Sequence, residues 1–224
     1  MKLNRQQWQM IIALLLVAVI STVLLGVANI LTRAPIAQAE RQALMSALMQ
    51  VLPEHQNDPV SDTRKITLPG HTQATHFYFS RNQKNDITGI AWQVTAPDGY
   101  NGSIHILMAV RPNGSIHAIR ITRHKETPGL GDGITKNQPW LDSFADQSLD
   151  EQSLGEQSSD KQAASNKQWA VKKDGGDFDQ FTGATITPRA VVKAVKKGLE
   201  MFTKLKSALL KNNKSEAFEG KHAQ

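Results

Sequence analysis

The chain contains no cysteine among its 224 residues. Without thiols a protein cannot form disulfides, ligate an iron–sulfur cluster through thiolates or attach a c-type haem. Gly-x-Gly-x-x-Gly and Walker-type nucleotide loops are also missing. Gly129, Gly131 and Gly133 alternate, but the third glycine of the motif would fall at position 136, which is lysine. Any redox chemistry must therefore come from an organic cofactor or from a metal held by histidine and carboxylate ligands.

Charge is missing from a long run near the N-terminus. Residues 10–30 carry no charged side chain, and as a helix they span roughly 30 Å, the thickness of a bilayer's hydrocarbon core. Lys2 and Arg5 precede the run, which indicates a cytoplasmic N-terminus by the positive-inside rule. The alternative is a cleaved signal peptide, since residues 37–39 (AQA) have the form of a cleavage site, although a signal core is usually about 7–15 residues long. Either way, the domain that follows is exported.

Positive charge is concentrated at the C-terminal end. Residues 189–224 contain nine Lys or Arg and three Glu, which accounts for the whole net charge of +6. A basic helix can indicate nucleic-acid binding, but a membrane-tethered exported domain is a poor candidate for that role. We interpret the segment as a solvated helix face that could contact anionic headgroups or an acidic partner, and we expect no nucleic-acid partner.

Helix and strand patterns follow the apolar run. Thr32-Arg33-Ala34-Pro35 interrupts it, and apolar residues at helical spacing predict a second helix over residues 36–52 that Pro53 ends. Alternating apolar residues and short polar turns then predict a four-stranded antiparallel meander over residues 76–80, 87–95, 103–110 and 115–122. A last helix is predicted from Thr187-Pro188-Arg189, with Thr187 as its cap and one apolar face formed by Val191, Val195, Phe202, Leu205 and Leu209.

These patterns predict an α+β protein with a single N-terminal transmembrane helix and an exported domain in which helices flank an antiparallel sheet. Residues 146–167 contain the polar pentads QSLDE, QSLGE and QSSDK, which cannot bury a core and predict a flexible surface insertion. The predicted order is a cytoplasmic N-terminus, the membrane helix, a juxtamembrane helix and linker, the periplasmic domain and a polar tail, over residues 1–9, 10–31, 32–60, 61–211 and 212–224.

The segment 179–185 (DQFTGAT) is a turn that leads into the last helix. A helix N-terminus presents unpaired backbone N–H groups and the positive end of the helix dipole, and both favour a phosphate. Gly183 and Ala184 leave the neighbouring backbone accessible, and Asp179 is close enough in sequence to orient Thr182 or a metal ion during a modification. The simpler alternative is that Thr185 or Thr187 is an ordinary helix cap.

A second constellation follows the last predicted strand. The loop 124–132 (HKETPGLGD) can bring backbone N–H groups against a planar ring or an anion. His124 and Glu126 would share a face if the strand continued. A metal site there would lack a third ligand, so we predict no metal. The alternatives are a ring-contacting loop and a plain surface loop with a charged pair.

The pattern Asp-x-x-Ser/Thr-Gly-Ala-Thr at residues 179–185 resembles the flavinylation motif of the FMN-binding domain family. The apolar run, the turn at 99–102 (GYNG), the loop at 124–131 and this motif also occur in the order found in the G subunits of Rnf (Rsx) electron-transport complexes, which the chain resembles over most of its length. The resemblance implies FMN joined to Thr185 by a phosphoester bond. It implies further cofactor contacts at Asp179, Thr182, Gly183, Ala184, His124, Glu126, Thr127, Gly129, Leu130 and Gly131.

The resemblance further implies an electron carrier without catalytic residues of its own. Such a protein would lie in the bacterial inner membrane with the other membrane subunits of its complex and would couple ferredoxin/NAD-type electron transfer to ion movement; in some bacteria a similar complex keeps a redox-sensing regulator reduced. A separate flavin transferase that uses FAD and Mg²⁺ would attach the FMN. The alternatives are the C subunit of the sodium-translocating NADH:quinone oxidoreductase and a membrane-anchored periplasmic binding module without a cofactor.

Overall fold

The structure is a computed structural model that describes residues 4–67, 74–149 and 169–211. It divides into two compact units, Met1–Met45 and Ser46–Gln224. Helix α1 (Arg5–Val51), which begins in the first unit, is the one helix among the described residues that is long and apolar enough to cross a membrane. The predicted interruption at residues 32–35 does not break this helix, which continues through Pro35. Proline costs one backbone hydrogen bond, but the alanine- and glutamine-rich residues that follow favour helix strongly.

The second unit is built on a five-stranded antiparallel sheet in sequence order. Its strands are β1 (Thr63–Thr67), β2 (Ala74–Arg81), β3 (Ile87–Ala96), β4 (Ile104–Val110) and β5 (Ile116–Arg123). The four predicted strands and the meander are confirmed. Strand β1 was not predicted, because TRKIT holds two charged residues and shows no clear alternation.

One face of the sheet packs against helix α4 (Ile186–Leu210). Phe77, Trp92 and Met108 are cross-strand neighbours on this face and are fully buried. The Phe202 ring of α4 stacks on Trp92 at a centroid distance of 5.8 Å. Gly198 lets the helix approach, since a Cβ there would lie 2.5 Å from the Met108 sulfur. Four residues of the predicted helix face are buried and Leu205 is partly buried, so this prediction is confirmed.

The opposite face of the sheet is covered at one end by the residues that follow α1. A Cβ on Gly89 would lie 2.6 Å from the Pro53 ring, so strand β3 needs glycine at this contact. Asn57 fastens the segment to β2 by donating from Nδ2 to the Phe79 carbonyl at 2.8 Å. The end of α1 and the residues after it therefore belong to the core of the second unit.

Short elements link the sheet to α4. Helices α2 (Gly133–Lys136) and α3 (Gln138–Asp142) follow β5, and a 3₁₀ turn (Lys172–Asp174) precedes the 179–185 segment. Most of the predicted insertion, residues 150–167, and the predicted polar tail, residues 212–224, lie outside the described residues. The first residue of the insertion, Asp146, pairs with Arg111 at 2.5 Å.

Candidate functional site

Segment 179–185 forms a tight turn that ends at the first residues of α4. The Ala184 N–H donates to the Phe181 carbonyl at 3.0 Å, and Gly183 adopts a positive φ of 77° that glycine accommodates without strain. Trp140 supports the turn from below: its Nε1 donates to the Asp179 carbonyl at 2.9 Å, and its ring contacts Phe181 at 5.2 Å between centroids. No local sequence signal identifies Trp140, which lies 39 residues before its hydrogen-bond partner.

Thr185 lies at the N-terminus of the 25-residue helix α4. Its backbone is helical, with φ −72° and ψ −32°, and within the described part of the chain its hydroxyl makes no capping hydrogen bond. A capping residue usually has an extended backbone, which brings its oxygen back to the second or third amide of the helix. The Thr185 hydroxyl is therefore not used as a cap, and the side chain is half-buried.

The predicted cap at Thr187 is wrong. Helix α4 begins at Ile186, so Thr187 lies inside its first turn, and its side chain is buried. Its hydroxyl donates to a carboxylate oxygen of Glu126 instead of to the helix. The amides of the first turn are therefore not capped by either threonine that the sequence suggested.

The loop 124–132 does not continue strand β5, which ends at Arg123. His124 and Glu126 therefore do not present a common strand face; instead, the Glu126 N–H donates to His124 Nδ1 at 3.2 Å. The Thr127 carbonyl accepts from three successive N–H groups, those of Leu130, Gly131 and Asp132, at 3.1–3.3 Å. These hydrogen bonds fold the glycine-rich part of the loop into a compact turn.

Asp132 fixes the end of this turn. Its carboxylate accepts from the Gly129 N–H at 2.8 Å and from Lys136 Nζ at 2.5 Å. The Lys136 hydrogen bond holds the pKa of the Asp132 carboxyl below its ordinary value, and the Gly129 N–H acts in the same direction. Asp132 is therefore a carboxylate at neutral pH, and it orders the loop through both partners.

The tertiary structure brings the loop and the turn together. The Leu130 Cδ2 lies 3.4 Å from the position of a Cβ on Gly183, and a Cβ on Gly133 would lie 3.1 Å from the Phe181 ring. A Cβ on Gly131 would lie 2.9 Å from the Thr187 hydroxyl oxygen. Three points of contact thus join segments that are about 50 residues apart in the sequence.

Glu126 lies beneath this junction and is only 4% exposed. One carboxylate oxygen accepts from the Asn101 N–H at 3.0 Å, and the other accepts from the Thr187 hydroxyl. Asn101 also donates from Nδ2 to the Thr127 hydroxyl at 2.9 Å. Among the residues that the structure describes, no group of three or more His, Asp or Glu side chains could hold a metal ion.

The other predicted site residues lie at the exposed side of the turn. Thr182 and Gly183 are exposed, and the Asp179 carboxylate pairs with Lys172 at 2.5 Å. Arg189, in the first turns of α4, binds Asp174 with two hydrogen bonds of 2.5 and 2.7 Å. The Arg189 hydrogen bond lowers the pKa of the Asp174 carboxyl. The 3₁₀ turn is thereby fastened to the helix that follows.

Three of the exposed large apolar side chains of the second unit lie in the segments that meet at this site. The described residues of that unit include four large apolar side chains that are exposed: Met49, Tyr100, Leu130 and Ile186. Tyr100 belongs to the 99–102 turn, Leu130 to the loop and Ile186 to the first turn of α4.

The sequence is similar to known proteins over most of its length. Residues 99–200 match the model of the FMN-binding domain, and residues 12–51 match that of the RnfG N-terminal region. The G subunit of the ion-translocating oxidoreductase complex of Aliivibrio fischeri is 38% identical over 206 residues, which cover 89% of this chain and 91% of that protein. The chain belongs to the family of G subunits of ion-translocating oxidoreductase complexes. The predicted resemblance is thereby confirmed.

Other members of this G-subunit family match to the same degree. The protein of Cereibacter sphaeroides is 39% identical over 198 residues, covering 87% of this chain and 84% of that protein. The protein of Pseudomonas aeruginosa is 37% identical over 201 residues, covering 87% and 88%. The crystal structure of Shewanella oneidensis NqrC has 20% identity and a TM-score of 0.46 over 61% of each chain, which is too distant to add to the assignment.

Membership of the G-subunit family agrees with the architecture. The predicted α+β class is confirmed, and the single apolar N-terminal helix fits a membrane-anchored protein. Every residue predicted to contact the cofactor lies within the part that matches the FMN-binding domain.

Proposed function

We propose that the protein carries FMN covalently on Thr185 and serves as an electron-carrying subunit of a membrane-bound complex. The observation that carries this proposal is that the Thr185 hydroxyl, at the N-terminus of a 25-residue helix, makes no capping hydrogen bond. A phosphoester formed there would lie in the positive field of the helix dipole and close to unpaired amides. The match of residues 99–200 to the FMN-binding domain supports the choice of ligand.

The residues around Thr185 fit both ends of FMN. The phosphate end needs N–H donors and little side-chain bulk: the first residues of α4 would provide the donors, and Gly183 and Ala184 leave the neighbouring backbone uncrowded. The ring end needs an apolar surface, and exposed Leu130 and Ile186 flank the tether. The site would therefore bind the phosphate on one segment and the flavin ring on the apolar surface of a neighbouring segment.

Bound FMN would supply the reversible uptake and release of electrons. The chain's own residues would bind and orient the group: α4 holds the phosphate, and the compact 127–132 turn shields one side of the ring. Neither task needs a general acid, a base or a nucleophile. We accordingly assign no catalytic residue.

Attachment of the FMN would require a separate enzyme, because a threonine hydroxyl is a weak nucleophile without an adjacent base. We propose a flavin transferase that uses FAD and Mg²⁺. The Thr185 oxygen would form a bond to the phosphorus of the FMN half, the bond between the two phosphates would break with AMP as the leaving group, and the hydroxyl proton would pass to a base of the transferase. Exposed Thr182 and Gly183 give such an enzyme access to the turn.

In the proposed setting the protein is a single-pass component of the bacterial inner membrane, with a cytoplasmic N-terminus and a periplasmic main domain. Its partners are the other membrane subunits of the same complex. That complex would couple electron transfer of the ferredoxin/NAD type to ion translocation, and the matched relatives are themselves named as parts of an ion-translocating oxidoreductase. The same electron delivery would help to keep a redox-sensing regulator reduced.

Flavin fluorescence in a denaturing gel tests the proposal. The protein is produced with an active flavin transferase, denatured and run on the gel, and we expect a fluorescent band. Thr185→Ala should abolish the band, whereas the matched control Thr182→Ala should keep it. A dark wild-type band beside a demonstrably active transferase would contradict covalent attachment and favour a cofactor-free binding module.

The membrane proteins that co-purify with the chain test its assignment to a complex. We expect membrane subunits of an ion-translocating oxidoreductase of the same type as the matched relatives. Recovery of the subunits of a sodium-translocating NADH:quinone oxidoreductase would instead assign the protein to that pump.

A further inference from the structure

The buried Glu126 carboxylate connects three segments that are separate in the sequence. Its oxygens accept hydrogen bonds from Asn101 in the 99–102 turn and from Thr187 in α4. Glu126 itself belongs to the third segment, the 124–132 loop. Asn101 and Thr187 are thus each held to a different oxygen of one carboxylate.

Glycine contacts show how tightly this group is enclosed. A Cβ on Gly99 would lie 3.0 Å from Glu126 Oε1, and a Cβ on Gly131 would lie 2.9 Å from Oε2. Contacts at or below 3.0 Å are closer than real Cβ atoms normally come, so both positions admit little beyond glycine. The two glycines let the turn and the loop close over the carboxylate.

Each exposed apolar residue at the site is the chain neighbour of a residue that contacts Glu126. Tyr100 precedes Asn101, Leu130 precedes Gly131 and Ile186 precedes Thr187 in the sequence. The first residue of each pair is 46–66% exposed, whereas Glu126 is 4% exposed and Thr187 is 1% exposed. The carboxylate is therefore connected to each of the three exposed apolar residues through the residue that follows it in the chain.

We propose that Glu126 is a positioning residue, not a cofactor ligand: it sets the spacing between the helix that holds the phosphate and the loop that faces the flavin ring. The proposal rests on FMN attachment at Thr185. Because Glu126 is only 4% exposed, it offers almost no surface to a tethered flavin, and its effect passes through the 99–102 turn, the loop and the first turn of α4. A carboxylate suits this role because it accepts from donors on two sides at once, which an apolar side chain cannot do.

Iodide quenching of flavin fluorescence in the loaded protein measures how well the loop shields the ring. We expect Thr187→Val to raise the quenching constant about twofold, because losing one anchor of the carboxylate loosens the loop locally. Thr187→Ser keeps the hydroxyl donor and should restore the wild-type value. Phe202→Leu serves as the stability-matched control, since Phe202 packs on Trp92 and not on Glu126.

A second measurement uses protein without flavin. In the Thr185→Ala background, the bond between exposed Lys125 and buried Glu126 becomes accessible to trypsin only when the loop opens, and the exposed bond after Lys84 in the β2–β3 turn reports general loosening. Adding Thr187→Val should speed cleavage after Lys125 about fivefold relative to cleavage after Lys84. Thr187→Ser keeps the hydroxyl donor and should leave the ratio of the two cleavage rates at the wild-type value.

The outcomes separate this inference from the proposed function. If Thr187→Val and Phe202→Leu change quenching and relative cleavage equally, Glu126 only stabilises the fold and the positioning role is wrong. The positioning role also fails if Thr187→Ser behaves like Thr187→Val. If the wild-type protein never acquires flavin, the proposed function fails, while the cleavage experiment still reports whether Glu126 positions the loop.

Discussion

Thr187 donates a hydrogen bond to Glu126 across 61 residues of sequence, and both side chains are buried. This bond joins the first turn of α4 to the loop after β5. Because Glu126 also accepts from Asn101, three segments share one carboxylate. The local order of the site therefore depends on a polar contact beneath it.

The first prediction concerns the stability of this contact. Thr187→Val removes the hydroxyl and leaves a buried carboxylate oxygen without one donor, which should lower the free energy of unfolding by about 1–3 kcal/mol. Thr187→Ser should cost less, since the donor remains and only a methyl group is lost. Urea denaturation of the two variants measures the difference. Equal values would indicate that packing of the methyl group, and not the hydrogen bond, provides the stability.

The second prediction concerns Gly131. Gly131→Ala would place a Cβ 2.9 Å from Glu126 Cβ, Glu126 Oε2 and the Thr187 hydroxyl, all of them buried and hydrogen-bonded or packed. We expect a loss of about 1–3 kcal/mol from overpacking. Gly129→Ala is the comparison, because its Cβ would meet nothing within 4 Å and only its φ of 80° opposes the substitution. Because Gly131 has no positive φ, a loss near zero in Gly131→Ala would show that the neighbouring side chains move aside and that crowding does not set the cost.

The third prediction compares two buried tryptophans. Trp140→Phe removes the Nε1 donor to the Asp179 carbonyl, and we expect it to cost about 0.5–1.5 kcal/mol more in stability than Trp92→Phe. Within the described residues the Trp92 Nε1 has no hydrogen-bond partner, so Trp92→Phe loses ring volume alone. Thermal or urea unfolding of both variants checks the order. A larger loss in Trp92→Phe would contradict a supporting role for the Trp140 hydrogen bond.

The fourth prediction is a pH dependence at Asp132. Its folded-state pKa is lowered by the Lys136 hydrogen bond, so the charged carboxylate adds stability above the unfolded pKa of about 3.9 and loses it as the pH falls through the lowered value. Asp132→Asn should therefore show a stability deficit that is constant at neutral pH and shrinks in acid below about pH 4. Unfolding measured at several pH values tests this sign. A deficit that grows in acid would be inconsistent with it.

Some features of the site could be read from local sequence. The 179–185 motif, the glycines of the 124–132 loop and the amphipathic face of α4 all depend on residues close together in the chain. Periodicity likewise predicted four of the five strands correctly. These signals are local because turn geometry and helical or strand alternation are decided within a few residues.

Other features could not be read in this way. Strand β1 was missed because its residues are polar and its pairing with β2 supplies what its own pattern lacks. The interruption expected at residues 32–35 does not occur, since one proline did not outweigh the helix formers around it. Whether Thr187 caps the helix or binds a distant carboxylate depends on where Glu126 lies. The sequence close to Thr187 contains no signal that predicts the position of Glu126.

The sequence by itself determined the apolar N-terminal helix, the antiparallel class of the domain and the threonine at the start of α4, because each follows from composition or short-range periodicity. Only the tertiary structure decided that the Thr185 hydroxyl makes no capping hydrogen bond, that Leu130 lies beside Gly183 and that Glu126 is buried between three segments. Those facts depend on packing α4 and the loop against one sheet, which brings together residues about 60 positions apart. A contact of that range is fixed by the folded arrangement as a whole.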